Sequence, residues 1–443
     1  MPMTEPAHVP SPDQSSPPSR IQSRRRFLVG IGVGLSGVAI EAAGTLVSAV
    51  TNKPTAGLKQ GRPGAATVLG APGTIEAERL ASPVLERGLQ PSQDPSFRPD
   101  LRTRIGQMLL VGFTGTVVDG SSWIVRDIVD RGLGGVVLFD RISGTSRVRN
   151  IESPTQVANL VTTLQSAAAR TGAGAPLFVA VDQEGGAVAR LKPRNGFPGT
   201  YSASVLGGMG DPAFTEAQGA EVARTLASVG FNLNLAPVVD LNLNAANRII
   251  GGSGRSFSSD ATVATEHAAA FIRGHRSAGV LTSVKHFPGQ GSASADTHHG
   301  AVNVTANWTE LELQPFRALA EQGLADAVMT AHIFHAGLDP NHPATLSSAI
   351  VQGLLREGLG YDGVVISDDL NMGAIAEVYR FEDAVALAVQ AGVDILTIGQ
   401  ASGGRVGRAI DVIEALVASG TISEARIDAS YDRIMALKAR IGA

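Results

Sequence analysis

Residues 284–300 read VKHFPGQGSASADTHHG. A β-branched and aromatic run ends in Lys285-His286 and turns at Pro288-Gly289. A Gly/Ser/Ala stretch then delivers Asp296, His298 and His299 in quick succession. Three readings are open to such a cluster: a metal site, a proton-transfer device, or a plain polar loop. An imidazole with its ordinary pKa of roughly 6.5 can give and recover a proton near neutral pH. A carboxylate two residues away would favour its charged form and fix its tautomer, as the third member of a catalytic triad does.

Other reactive side chains gather at the ends of short apolar runs. One run ends in Val181-Asp182-Gln183-Glu184-Gly185-Gly186, with Arg190 a few residues on, and another ends near Asp240, followed by Arg255. Further runs end in Lys285-His286, in His332 and in Ser367-Asp368-Asp369. A single acid at a strand end is most often a helix cap, but five charged ends are harder to read that way. A metal site would draw on His298, His299, His332 and His335 with an Asp. The H-x-x-H at 332–335 is a weak spacing, and no metal is expected. Ser/His/Asp hydrolysis needs a G-x-S-x-G elbow at a strand-to-helix turn, and none is evident. What remains is a carboxylate fixed on a strand, a proton donor on a loop, and Asp, Arg, Lys and His able to hold hydroxyls. That set suits glycosyl transfer, where a retaining enzyme needs a rigid carboxylate nucleophile and an acid/base that reaches the leaving oxygen.

The elements that must position these residues are legible from about Asp100 onward. Eight β-type runs recur: QMLLVGF (107–113), GGVVLF (134–139), LFVAVD (177–182), FNLNLAP (231–237), LTSVKHF (281–287), DAVMTAH (326–332), GVVISD (363–368) and VDILTIG (393–399). Stretches of helical period separate them, such as TEAQGAEVARTLASV, TVATEHAAAFIRGHRSA and FEDAVALAVQA, and Thr421 is a candidate N-cap for the last helix. Continuously apolar strands alternating with helices imply a parallel sheet covered on both faces. Eight such units predict an α/β fold, a (β/α)8 TIM-type barrel over 98–443, whose active site would be built from strand C-termini. A doubly wound open sheet is the alternative. No Gly-rich phosphate loop follows the first strand, and G-G-S-G at 251–254 falls in a distant loop, so a dinucleotide site is not expected.

Composition narrows the class. The 443 residues carry a net charge of −4, with 44% hydrophobic residues and no cysteine. This argues against a nucleic-acid binder or a polybasic membrane protein, and excludes disulfides and thiolate chemistry. Near the start, Ser23-Arg24-Arg25-Arg26-Phe27-Leu28 has the twin-arginine pattern, and an apolar run follows to Ile40. That run is short of the roughly 20 residues a membrane span needs. Residues 1–49 therefore read as a twin-arginine signal peptide, with a plausible cleavage site near Ala49. Residues 50–97 read as a Pro/Gly-rich linker or extension. The mature domain is expected outside the cytoplasm, in the periplasmic, wall or extracellular space, after handling by the twin-arginine export machinery.

Several ordered motifs carry a family resemblance: VDQEGGAVARL (181–191), NLNLAPVVDLN (232–242), GRSFSSD (254–260), KHFPGQG (285–291), DTH (296–298) and PATLSSAIVQGLLREGLGYDGVVISDDLNM (343–372), with RIDASYDRIMALK near the C-terminus. Over essentially all of 100–443 the sequence resembles family 3 glycoside hydrolases, specifically the single-barrel bacterial β-N-acetylglucosaminidases. The resemblance implies that Asp368 is the nucleophile, with Asp369 orienting or capping locally, and that His298 paired with Asp296 is the acid/base. Asp182, Arg190, Arg255, Lys285 and His286 would bind the non-reducing-end sugar. The family needs no metal or organic cofactor. The implied substrates are terminal N-acetylglucosamine units of peptidoglycan fragments or related amino-sugar oligosaccharides, cleaved with retention by a monomeric enzyme.

The sequence also departs from the family pattern. Gln290 stands where relatives usually have a second His, which predicts altered loop packing with activity retained. His299-Gly300-Ala301 replaces the usual residues after D-x-H, and residues 141–148 look like an extra loop after the second strand. A β-glucosidase or β-xylosidase, a phosphorylase of the same family, and a sugar-binding barrel without turnover are the competing functions.

Overall fold

The computed structural model describes residues 98–442 apart from Gly172, Ser402 and Gly403. The signal peptide expected over 1–49 and the extension expected over 50–97 lie outside the described residues. The strands are β1 (Leu109–Gly112), β2 (Gly135–Val137), β3 (Phe178–Val181), β4 (Leu233–Asn234), β5 (Leu281–Phe287), β6 (Val302–Asn303), β7 (Ala327–Thr330), β8 (Ile333–Phe334), β9 (Val364–Ser367) and β10 (Leu396–Ile398). Eight of them form one parallel sheet in the order β10-β1-β2-β3-β4-β5-β7-β9. A parallel bridge between Ile366 and Ile395 joins β9 to β10 and closes the ring. All eight apolar runs of the sequence supply these strands. The short pair β6 and β8 lies outside the ring, in the loops that follow β5 and β7.

The helices are α1 (Leu101–Gln107), α2 (Trp123–Arg131), α3 (Pro154–Ala168), α4 (Ala203–Met209), α5 (Pro212–Ser228), α6 (Ala261–Arg276), α7 (Gln314–Glu321), α8 (Gly373–Ala376), α9 (Phe381–Ala391), α10 (Arg405–Ala418) and α11 (Glu424–Lys438), with a wide π-type turn over Ala349–Gly358. The architecture is thus the (β/α)8 barrel. Strands such as β1, β3, β7 and β9 are buried along their whole length, as strands lined by helices must be. Helix starts follow from local chemistry. Asp100, Ser153, Ser202, Asp211 and Asp260 each accept a backbone N–H from the first turn. Pro154 and Pro212 then occupy positions where no donor is needed. The last helix differs from expectation: its N-cap is Ser423, whose hydroxyl accepts from Arg426 N, while the Thr421 hydroxyl bonds Ser419.

β4 is only two residues long, and side chains extend its ladder. Asn232 accepts from Val179 N at 2.8 Å and donates to Leu177 O at 2.9 Å. Asn234 accepts from Gln183 N and donates to Gln183 O, both at 3.0 Å. Asparagine side chains here complete backbone pairing that a longer strand would have made. They also fix the segment between Asp182 and Glu184.

The C-terminal helix is tied to the sheet by a buried acid. Asp394 accepts from Val365 N at 2.9 Å, from Arg356 Nη2 at 2.6 Å and from the Ser430 hydroxyl at 2.5 Å. Arg433 lies 3.6 Å away. Its side chain is fully buried, so losing it strands an arginine without its countercharge. Asp394→Ala is expected to cost about 3–5 kcal/mol of unfolding free energy, measured by chemical denaturation.

Candidate active site

Strands β3, β4, β5, β7 and β9 end at one mouth, where a cavity of about 600 Å³ is lined by Asp182, Glu184, Arg190, Arg255, Lys285, His286, His298 and Asp368. Except for Asp296, every site residue expected from the sequence lines this one cavity, and Asp296 touches it through His298. The volume falls within the range of small-molecule sites.

The floor is a charge network. Lys285 Nζ lies 2.8 Å from Asp182 Oδ1 and 2.7 Å from Glu184 Oε1. Arg255 forks onto Glu184 through Nε at 2.7 Å and Nη2 at 2.8 Å. Arg190 Nη2 is 3.5 Å from Asp182 Oδ2, and its guanidinium sits over Phe139. Burial works against the charge on both carboxylates, but the facing cations outweigh it. Arg255 and Lys285 drive the Glu184 pKa far below its ordinary value, and Lys285 and Arg190 lower that of Asp182. Lys285 is raised in turn by Asp182 and Glu184 against its own burial. The pairing of β5 with β7 skips a residue between Lys285 and Phe287, and the two neighbouring side chains Lys285 and His286 both reach the cavity.

His286 is held by an acid the sequence reading did not assign. Its Nδ1 is 2.6 Å from Asp240 Oδ2, and its Nε2 faces Arg255 Nη2 at 3.3 Å. Arginine can only donate, so Nε2 accepts and Nδ1–H donates to Asp240. Asp240 Oδ1 also accepts the backbone N–H groups of His286 and Gln290.

Asp368 follows β9 and accepts from Asp369 N at 2.8 Å. Burial raises its pKa, but His332, His286, the Asp369 N–H and Lys285 together lower it further. The net direction keeps Asp368 an anion at neutral pH. Asp369 is a different kind of acid: its Oδ1 accepts from Asn371 N, Asn371 Nδ2 and Gly399 N. It shapes the turn, and burial together with the Asp368 charge raises its pKa. Adjacent carboxylates are thus separated into one free and one structural.

On the opposite rim, His298 Nδ1 and His298 N both lie 2.8 Å from Asp296 Oδ1. A carboxylate accepts, so Nδ1 carries the hydrogen and Nε2 is left free. The His298 side chain is 59% exposed, which leaves that nitrogen accessible from the cavity. Hydrogen bonds from the His298 backbone and side chain lower the Asp296 pKa, outweighing its partial burial. Gly373, at the start of α8, lets this loop approach closely: a Cβ there would meet His298 O at 2.7 Å.

Three further features shape this side of the cavity. The Gly/Ser/Ala stretch is packed over Gln290–Ala293, and only Ser294 and Ala295 of the tether are exposed, because side chains from two other loops take its backbone groups. Gln290 is buried and its Nε2 donates to Thr297 Oγ1 at 3.3 Å, so it braces the residue next to His298. Residues 141–148 form a hairpin joined by an antiparallel Arg141–Val148 bridge, and Arg141 to Thr145 line the cavity. His299 is 83% exposed and 3.6 Å from Asp296. His332 is buried, with Nε2 donating to Asp369 O, and His335 packs edge-on to Trp308. Among the described residues no three His, Asp or Glu side chains converge as a metal-ligand set.

Glu184 and Asp240, noted in the sequence at strand ends but given no role, complete the site with Arg149, which the sequence did not single out. Glu184 had a signal: it stands two residues after Asp182, on the same side of an extended segment. Arg149, buried over Phe139, donates to Phe113 O and Gly399 O at the end of the barrel opening. Only the closed ring makes that role visible.

A parallel barrel with an isolated strand-end carboxylate, a paired imidazole on a loop and a floor of paired charges has the architecture of a glycoside-cleaving enzyme. The sequence profile described as Glycosyl hydrolase family 3 N terminal domain matches residues 100–437, so the chain belongs to that family and is a glycoside hydrolase. A protein named Beta-hexosaminidase A from Pseudoalteromonas piscicida is 36% identical over 280 residues, covering 59% of this chain and 45% of that one. Beta-hexosaminidase LpqI from Mycobacterium tuberculosis is 33% identical over 388 residues, covering 83% and 89%. Among solved structures, a family 3 β-N-acetylglucosaminidase from Paenibacillus sp. str. FPU-7 superposes with a TM-score of 0.71 at 38% identity, covering 77% of this chain and 63% of that one. The chain thus spans less than two thirds of two of these relatives and most of the third.

The carboxylate network sets an acid sensitivity. A carboxyl whose pKa is depressed in the folded state stabilises the fold above its ordinary value, about 4.5 for Glu184, and the contribution is lost as pH falls further. Wild-type denaturation midpoints are expected to drop between pH 5 and pH 3. Glu184→Gln should be less stable at pH 7 and flatter across that acid range.

Proposed function

We propose that the chain is an exo-acting, retaining β-N-acetylglucosaminidase that removes terminal N-acetylglucosamine from peptidoglycan fragments or related amino-sugar oligosaccharides. One observation carries the reading of the chemistry: Asp368 is a half-buried anion with a single local hydrogen bond, while the imidazole on the loop after β5 has one nitrogen tied to Asp296 and the other free. In this scheme Asp368 attacks the anomeric carbon along a line fixed by β9 as His298 protonates the leaving oxygen. The neutral imidazole then takes a proton from water, which attacks the glycosyl-enzyme and frees Asp368. Asp182, Arg190, Arg255, Lys285 and His286 hold the sugar hydroxyls through groups already oriented by their ion pairs. The names of the relatives support the amino-sugar preference. The hairpin at 141–148 adds Arg141 to Thr145 to the cavity wall, which supports a substrate larger than one sugar.

Phosphorolysis is the second reading. An imidazole acid/base repels an incoming phosphate less than a second carboxylate would. The twin-arginine pattern at 23–28 supports export, and the mature enzyme would act outside the cytoplasm.

The direct experiment compares wild type, Asp368→Ala and His298→Ala on aryl β-N-acetylglucosaminide and aryl β-glucoside, with and without phosphate. The expected results are N-acetylglucosamine release by wild type, no measurable turnover by Asp368→Ala, and a loss of about 10²–10⁴-fold for His298→Ala. Preference for the glucoside would overturn the substrate assignment, and sugar-phosphate formation would establish phosphorolysis.

A further inference from the structure

The chain between β5 and His298 is gripped at its root by side chains that touch no part of the cavity. Asp240 takes the N–H groups of His286 and Gln290, at 3.2 and 2.8 Å. Glu312 Oε2 takes the next two, from Gly291 at 2.8 Å and Ser292 at 3.4 Å. The carbonyls are taken as well: Asn247 donates to Gln290 O and Gly291 O, and Asn244 to Ser292 O and Ala293 O. Four side chains from outside the segment thus hold it where the sequence offers only small residues.

Glu312 is the unusual member of this set. It lies in the short turn before α7 and is 1% exposed. No cation lies within ion-pair distance of it among the described residues, and its Oε1 is buried with no partner. A buried carboxyl in that condition is costly to the fold, so its retention calls for another explanation. Gly289 is shaped around it. That residue has φ of +121°, and a Cβ there would come within 2.5 Å of Glu312 Cβ.

We propose that Glu312 is a positioning residue for catalysis: it clamps the root of the loop through Gly291 and Ser292, and so sets where His298 presents its free nitrogen to the leaving oxygen. The lever is short. From Ser292 the chain runs through Ala293, braced by Asn244, to two exposed residues and then to Asp296 and His298. Gln290, inside the clamped root, reaches across to Thr297 Oγ1. A shift of the root therefore travels to His298 by both routes. Burial raises the Glu312 pKa to about 7, so a neutral amide is a fair stand-in for this carboxyl near neutral pH.

This inference rests on the reading of His298 as the proton donor, and the test separates the two. kcat/KM reports glycosidic bond cleavage, and an aryl glycoside whose leaving group is a weak base needs little protonation. If Glu312 acts through His298, Glu312→Ala should lower kcat/KM about 10–100-fold for a methylumbelliferyl β-N-acetylglucosaminide. For the 2,4-dinitrophenyl glycoside the change should stay within about 3-fold. His298→Ala should have the same leaving-group dependence, and adding Glu312→Ala to it should cost less than about 2-fold more. Glu312→Gln, whose amide oxygen still accepts the two N–H groups, should restore most of the activity. If Glu312→Ala does not fold, Glu312→Asp, which withdraws the carboxyl by one methylene, takes its place in every comparison. Equal losses for both leaving groups, or losses that multiply in the double variant, would overturn the inference. A His298→Ala enzyme without leaving-group dependence would instead overturn the assignment of the acid.

Discussion

Lys285 places one ammonium between two largely buried carboxylates, 2.8 Å from Asp182 and 2.7 Å from Glu184, and much of the site is arranged to make that tolerable. Two buried acids would repel each other and seek protons, and a buried lysine would shed one. Together with the Arg255 fork and Arg190 they form a network in which each charge has a partner. The network needs β3 and β5 on either side of β4 in the ring order, with β4 kept short and completed by Asn232 and Asn234. A polar floor that is already oriented does not have to reorganise when a sugar arrives, which is the basis of electrostatic preorganisation.

The two groups proposed to react are supported in contrasting ways. Asp368 extends directly from β9, beside a neighbour whose carboxyl is consumed by the turn. His298 stands on a loop, but one that is slack over only Ser294 and Ala295. Its root is clamped by Asp240, Glu312, Asn244 and Asn247, and its tip is braced by Gln290 and by α8. A donor held this way can withdraw without losing its bearing when it returns. Gln290 fits that logic: an amide spans the gap to Thr297 and places no further charge beside Asp240.

The barrel was legible in the sequence because apolar runs of six or seven residues recur with helical stretches between them, and all eight supply strands. Local capping chemistry was legible to within two residues, with Ser423 rather than Thr421 starting the last helix. The candidate site was legible where strand ends carried charge, as at Asp182, Lys285, His286 and Asp368. It was illegible where a residue acts from another part of the ring. Asp240 lies 46 positions before His286, and Glu312 lies 21 positions after Gly291, distances over which periodicity says nothing. Arg149 has meaning only because β10, β1 and β2 are neighbours in the ring. The packing of the tether was illegible for the same reason: small residues look slack until long-range partners for their backbone groups are known.

The central claim is that Asp368, rather than Asp369 or an acid of the floor, forms the covalent bond to sugar. A fluorinated N-acetylglucosaminide that forms a glycosyl-enzyme faster than it is hydrolysed would trap that bond. Peptide mass spectrometry of the trapped, proteolysed protein then reads its position. The prediction is a single N-acetylfluorohexosaminyl adduct on Asp368. Labelling of Asp369, Asp182 or Glu184, or product of inverted configuration with no adduct during turnover, would contradict it.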